Sequence, residues 1–297
     1  MSSVTLIKNV IVLGATGNVG HHHFRSATSG YSFPADVHVA TASYDSPESL
    51  KQAFTGQDAI VEAFNPAAAA HQKNIVDAAI QAGVKHIITP DYSSDTFNEN
   101  APELHIFEPK IKAQKYLELQ AALGSLRWIA IIVGPFYDWA IPLGRFWVDA
   151  KNRRVTVFGL GNQKISMSAI DMVGRATVAV LSNPEKFANR PAYFADYTVS
   201  ANEVLAMLNE LTAPETWAVD KVPVEYLFQE GQKQWDEDTK NGVQDRLNSA
   251  AYINLGTYGV FEESNRYAAD FHDKAEPGYE KDPKELKKEL EVIVKQA

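Results

Sequence analysis

The sequence predicts an α/β fold in which a doubly wound parallel sheet carries helices on both faces. Three observations support this prediction. Short apolar runs alternate with amphipathic segments through the first half of the chain, glycines spaced by three follow the first apolar run, and helix-capping residues separate the segments. The chain has 297 residues, 45% of them hydrophobic, which is enough for one large core or two modest ones.

The first element is a buried strand at residues 10–13, followed by Gly14, Gly17 and Gly20. Gly14 permits a tight turn, Gly17 lets the backbone approach a phosphate, and Gly20 lets the next helix pack closely on the sheet. This is how Rossmann-like folds bind the pyrophosphate of a dinucleotide, although a purely structural turn stays an alternative. The residues predicted to contact the cofactor here are Gly14, Ala15, Thr16, Gly17, Asn18, Val19 and Gly20.

The connection after Gly20 is unusually short. A helix, a loop and a second strand normally need more than about twenty residues, whereas fewer than fifteen separate Gly20 from Pro34. We therefore predict that one helix–strand unit is missing after the glycine turn. The strand predicted at Val37–Thr41 would then pair directly beside the first strand.

Caps, apolar spacing and glycines predict the remaining elements. The first half holds a helix that starts at Ser46, a strand at 58–64, a helix at 67–82, a strand at 84–89, a helix at 109–123 and a strand at 126–133. The second half holds an aromatic loop at 134–139, a strand–turn–strand at 154–168, a helix at 171–181, a strand at 192–197, a helix at 201–211 capped by Ser200, and helices from Trp217 to an amphipathic segment at 282–297.

The regular alternation of strands and helices ends at Gly134, which predicts that the chain has two regions. We expect residues 1–134 to form the dinucleotide-binding domain, with residues 165–200 packing back onto it. Residues 135–164 and 201–297 would form a smaller α+β region that binds the substrate.

The amino-acid composition limits the kinds of molecule that the protein is expected to bind. A formal net charge of −9 disfavours nucleic acid and anionic membranes, so we expect a small-molecule substrate. The chain has no cysteine, no long apolar run and no basic-then-apolar leader, which predicts a cytoplasmic protein. Oligomeric state stays open, with a homodimer as one alternative. No metal is expected, because the consecutive histidines His21–His23 would point about 100° apart on a helix.

Several segments together resemble one protein family. Besides the glycine motif, they are residues 70–85, residues 107–117, Gly134–Phe136 and residues 161–175. In this order, over nearly the whole chain, they resemble NmrA-like proteins of the isoflavone reductase group, within the atypical short-chain dehydrogenases, and especially the fungal members. The resemblance implies NADPH as the cofactor and hydride delivery to an aromatic or enone-like small molecule.

The resemblance also implies roles for individual residues. Lys110 would touch the nicotinamide ribose and act as general acid or base, where the alternative is an ordinary exposed lysine. Phe136 would pack against the nicotinamide, while Tyr137 and Trp139 would line an aromatic substrate pocket or else belong to the core. Arg25 resembles the arginine that binds the 2′-phosphate of NADPH.

The ends of the buried strands add further cofactor candidates. Phe64 and Asn65 follow one strand and Thr89 ends the next, where chain segments border the nucleotide crevice of this fold.

Two functions of different classes remain. One is an NADPH-dependent reductase with Lys110 as general acid or base. The other is a non-catalytic NmrA-like regulator, or a truncated inactive member of the family, which the shortened segment after Gly20 favours.

Overall fold

The structure is a computed structural model, and it describes residues 7–17, 19, 35–64, 66–145, 147–243, 246–247 and 249–296. The chain divides into two compact units. One comprises Met1–Tyr92, Pro109–Ile131 and Val173–Ala192, and the other comprises Ser93–Glu108, Ile132–Met172 and Tyr193–Ala297. The functional division into a cofactor region and a substrate region stays a prediction.

The first unit is built on a five-stranded sheet of order β1-β2-β3-β4-β8, in which β1 to β4 are parallel. Its strands, numbered in chain order, are β1 Val10–Leu13, β2 Ala59–Glu62, β3 His86–Thr89, β4 Arg127–Ile132 and β8 Arg190–Tyr193. Every residue of β2 and β3 is buried, as expected for parallel strands covered on both faces. The predicted α/β fold with a parallel sheet is confirmed.

Most helices of this region begin and end close to the positions that the sequence predicts, and the short helix Pro184–Phe187 was not predicted. The helices are α1 Pro47–Phe54, α2 Gln72–Ala82, α3 Glu108–Ala122, α5 Met172–Ser182 and α6 Pro184–Phe187. The Ser46 hydroxyl caps α1 by accepting from the Ser49 amide, and Gly83 ends α2 with a φ of +83°. The predicted helix 67–82 is divided, because residues Pro66–His71 form a 3₁₀ helix before α2.

The predicted strand at Val37–Thr41 is wrong. These residues form no strand, and the side chain of Val39 is 70% exposed. The alternating valines lack a buried face to cover, and pattern alone does not create one. Within the described residues, β1 pairs with β2 only and is an edge strand. Residues 20–34 lie outside the described part of the chain, so the missing helix–strand unit stays a prediction.

The second unit contains two small sheets and several helices. The strands β10 Ala218–Val222, β6 Arg154–Phe158 and β5 Val148–Asp149 form one sheet, and β7 Lys164–Met167 pairs with β9 Tyr197–Ser200 in the other. Its helices are α4 Tyr137–Ala140, α7 Ala201–Thr212, α8 Val224–Lys240, α9 Ala250–Phe261 and α10 Pro283–Gln296. One apolar core joins strands β5, β6, β7 and β9 to helices α4, α7, α8, α9 and α10.

Three details of the second half differ from the predictions. The strands at 154–168 exist but do not form a hairpin, because β6 pairs with β5 and β10 whereas β7 pairs with β9. The predicted strand 192–197 is two strands, β8 and β9, and β10 lies in a region predicted to be helical. The cap on α7 is confirmed: Ser200 and Glu203 form a reciprocal capping box.

In the described part of the chain, no helix has the length and apolar character needed to span a membrane.

Candidate functional site

The turn after β1 packs directly on the carboxyl end of β2. Gly14 has a φ of +76°, and a Cβ there would lie 2.8 Å from both the Ala63 carbonyl oxygen and the Phe64 Cα. Only glycine meets both requirements, since other residues avoid this conformation and the backbone contact leaves no space. The Gly17 amide donates to the Gly14 carbonyl at 2.9 Å and closes the turn.

The surface of this turn is open. Thr16 and Gly17 are exposed, and Ala15 and Val19 are half-buried. Among the described residues, a Cβ on Gly17 would meet the Gly14 and Ala63 carbonyl oxygens, at 3.4 and 3.9 Å. The described part of the turn therefore exposes the backbone that a phosphate would contact. Four predicted cofactor residues, Asn18, Gly20, Arg25 and Asn65, lie outside the described residues.

The cofactor candidates Phe64 and Thr89 lie at the ends of β2 and β3. Both are buried, whereas the sequence predicts that they border the nucleotide crevice. Phe64 is buried, and its ring meets the ring of Tyr44 edge-on at 5.8 Å. The Thr89 hydroxyl donates to the Asp91 carboxylate at 2.6 Å, and both side chains are buried. Thr89 thus holds the loop after β3 in place.

Lys110 lies in the first turn of α3 and reaches this loop. Its half-buried side chain donates from Nζ to the Asp91 carbonyl oxygen at 2.9 Å. Burial lowers the pKa of Lys110, and the Asp91 charge partly opposes that shift. A lowered pKa is compatible with the general acid or base role that the resemblance implies for Lys110, and burial is its main cause.

The loop after β3 also carries backbone strain. Tyr92, which follows Asp91, has a φ of +25°, a conformation that a tyrosine rarely adopts. Such strained residues are concentrated at functional sites.

Glu62, at the end of β2, is a buried acid that sequence reasoning missed as a site residue. Its side chain has no exposed surface, and Gln72 donates from Nε2 to both carboxyl oxygens at 3.0 and 3.1 Å. Burial raises the pKa of Glu62 to about 8, the Gln72 hydrogen bond acts against this, and the charge of Asp91 adds to it. Glu62 is therefore mainly neutral at pH 7. The available signal was a carboxyl group inside an otherwise apolar strand.

The aromatic candidates belong to the second unit. Tyr137 is only 2% exposed, its hydroxyl donates to Glu289, and its ring meets Tyr197 edge-on at 5.7 Å. Phe136 and Trp139 are half-buried, and the Arg145 guanidinium lies 5.3 Å from the Trp139 ring. The sequence left open whether these aromatic side chains line a substrate pocket or belong to the core. Tyr137 belongs to the core, whereas Phe136 and Trp139 keep accessible surface.

Comparison with known proteins identifies the family. Residues 25–264 match the sequence model of the NmrA-like family. The chain belongs to the NmrA-like family. This NmrA-like protein is also 32% identical to oxidoreductase aprR of Aspergillus flavus, over 73% of this chain and 77% of aprR.

Solved reductases share its fold. Isoflavone reductase superposes with a TM-score of 0.71 at 16% identity, covering 97% of this chain and 99% of that one. AtPrR2, solved with NADP+ and (+)pinoresinol, gives a TM-score of 0.70 at 16% identity, again covering 97% and 99%. The predicted resemblance to NmrA-like and isoflavone reductase-like proteins is confirmed.

The close packing of Gly14 leads to a first prediction. Gly14→Ala should lower the free energy of unfolding by about 2–4 kcal/mol, because it combines a left-handed conformation with a backbone clash. Gly56→Ala is a matched control, since Gly56 has a φ of +80° but nothing within 4 Å of an added Cβ. It should cost only about 1–2 kcal/mol. Urea denaturation measures both, and equal losses would contradict the clash.

Glu62 leads to a second prediction, about pH. The folded state keeps this proton up to about pH 8, whereas the unfolded chain releases it near the ordinary glutamate pKa of 4.5. Stability should therefore fall as pH rises between these values, by at most about 1.4 kcal/mol per pH unit from this group. Glu62→Gln should flatten the pH dependence of urea unfolding between pH 5 and 8, and the exposed Glu48→Gln should not. An unchanged slope in Glu62→Gln would show that Glu62 ionises normally.

Proposed function

We propose that this NmrA-like protein is an NADPH-dependent reductase acting on an aromatic or enone-like small molecule. The observation that carries the proposal is the desolvated Lys110 amine, held by the Asp91 carbonyl oxygen 2.9 Å away at the end of β3. It lies in the same compact unit as the glycine turn. The relatives support the proposal, since aprR is named an oxidoreductase and AtPrR2 was solved with NADP+ and (+)pinoresinol.

The glycine turn fits the pyrophosphate of this cofactor. The tight packing of Gly14 on β2 holds the turn, while the exposed backbone at Thr16 and Gly17 is free to approach an anion. The binding roles of Ala15, Asn18, Val19, Gly20 and the 2′-phosphate role of Arg25 stay predictions. When bound, NADPH supplies the hydride.

Lys110 supplies the proton in this proposal. A half-buried ammonium whose pKa is lowered by burial gives up its proton more readily than an exposed lysine. It can protonate the substrate oxygen or carbon that becomes basic as hydride arrives. The Asp91 carbonyl restrains the amine, so the proton is presented from one position.

Phe136 and Trp139 are the proposed aromatic contacts. Their half-buried rings keep apolar surface that an aromatic substrate can cover. Tyr137 would act indirectly, as part of the core beneath this segment, because its hydroxyl is already engaged by Glu289.

A non-catalytic regulator is the second candidate. The observation in its favour is the short connection between Gly20 and Pro34, which leaves little chain to build a wall for the adenine. Such a protein would bind NADPH weakly or not at all, and it would signal through another protein.

Substitution of Lys110 separates the two candidates. Lys110→Met should lower the rate of NADPH-dependent reduction about 10²–10⁴-fold while NADPH binding stays within a few-fold of the original. Fluorescence titration measures binding, and loss of NADPH absorbance with a panel of enones and aromatic substrates measures turnover. Lys115→Met, an exposed lysine on the same helix, is the control.

Two results would contradict the proposal. Full turnover in Lys110→Met would remove Lys110 from the mechanism. Absence of binding by the unaltered protein at millimolar NADPH would favour the regulator.

A further inference from the structure

A small pocket lies beside Lys110 in the first unit. Its volume is about 10 Å³, which is room for about one water molecule. Its polar lining comes from three places: Gln72 at the start of α2, Thr89 and Asp91 at the end of β3, and Lys110 and Gln114 on α3. The pocket is therefore too small for an organic ligand, and polar side chains line one part of it while Ala69, Ala113 and Leu117 line another.

Two buried polar atoms of this lining have no hydrogen-bond partner among the described residues. They are Gln72 Oε1, which accepts hydrogen bonds, and Gln114 Nε2, which donates them. Gln72 is only 2% exposed, so bulk water does not reach it. Buried polar atoms are almost always satisfied, and a water molecule can donate to one of these atoms while it accepts from the other.

Glu62 determines which end of the Gln72 amide is available. Nε2 donates to both Glu62 carboxyl oxygens, so Oε1 lies on the other arm of the planar amide. Glu62 is in this sense a positioning residue. It touches no ligand itself, but it presents an acceptor to the pocket that Gln72 lines.

The helix α3 places Gln114, the second side chain with an unpaired polar atom, next to the amine of Lys110. Gln114 follows Lys110 by four residues, and side chains at this spacing lie one above the other on the same face of a helix. A molecule held by Gln114 in this pocket therefore lies against Lys110.

We propose that this pocket is a binding site for one water molecule, held between Gln72 Oε1 and Gln114 Nε2 and hydrogen-bonded to the Lys110 amine. The water accepts from Lys110 and Gln114 and donates to Gln72. The water then adds to the restraint that the Asp91 carbonyl oxygen places on Lys110. The catalytic consequence of this restraint rests on the proposed function, whereas the site itself does not.

A crystal structure of the full-length protein, at about 1.8 Å resolution or better, tests the site directly. We expect one ordered water within about 3.2 Å of both Gln72 Oε1 and Gln114 Nε2. A dry pocket, or one closed by a side chain, would overturn the proposal. In Glu62→Leu the water should be lost as Gln72 turns, whereas Glu62→Gln, which keeps an acceptor for Gln72, should retain it.

The titration of Lys110, followed by NMR of its side chain, tests the contact with the amine. An accepting water favours the ammonium form, so Gln114→Leu and Gln72→Leu should each lower the pKa of Lys110 further, by about half a unit or more. Asp91 is unchanged in both variants, and Gln114→Leu also keeps the hydrogen bonds between Gln72 and Glu62. Gln81→Leu, an exposed glutamine on α2, should have no effect. An unchanged Lys110 titration in Gln114→Leu would overturn the proposal.

Neither measurement needs NADPH, so the two proposals fail separately. An ordered water and a responsive Lys110 in a protein that does not bind NADPH would reject the reductase and leave the water site standing. An active reductase with a dry pocket would do the reverse.

Discussion

The contact between the Gly14 turn and the backbone at Ala63 and Phe64 is the constraint on which the first unit depends. Because no side chain fits between them, the end of β1 lies directly against the end of β2. The parallel pairing of β2 with β3 then brings Glu62, Thr89 and the loop after β3 to the same edge of the sheet. Among the described candidates, Phe64 and Thr89 lie at that edge, and Lys110 is held there by the Asp91 carbonyl oxygen.

Burial at this edge gives ordinary side chains unusual protonation behaviour. Glu62 is kept neutral and Lys110 is made easier to deprotonate, and in both cases loss of water is the leading cause. Asp91 links the two groups, since its charge acts on each and its carbonyl holds the lysine. The proposed reductase would use this amine to protonate its substrate, and the regulator would not. This is the physical reason for preferring the enzyme.

Local signals in the sequence predicted the helices well. Ser46, Gly83 and Ser200 cap or end their helices as expected, because a cap needs only a few neighbouring residues. Pairing of strands was predicted poorly. Residues 37–41 have the alternation of a strand without a partner, and β6 and β7 are neighbours in sequence that pair with distant strands. The alternation of apolar and polar residues indicates that one face of a strand will be buried. It does not specify which other strand or helix covers that face.

The sequence by itself determined the family, the parallel sheet and the glycine turn, and it predicted a role for Lys110, because each follows from a local pattern or a motif. Only the tertiary structure decided that Glu62 is buried against Gln72, that Tyr137 belongs to a core, and that Gln72 and Gln114 share a pocket with Lys110. Desolvation and hydrogen bonding depend on residues far apart in the chain. The spacing of residues along the sequence therefore does not predict desolvation or these hydrogen bonds.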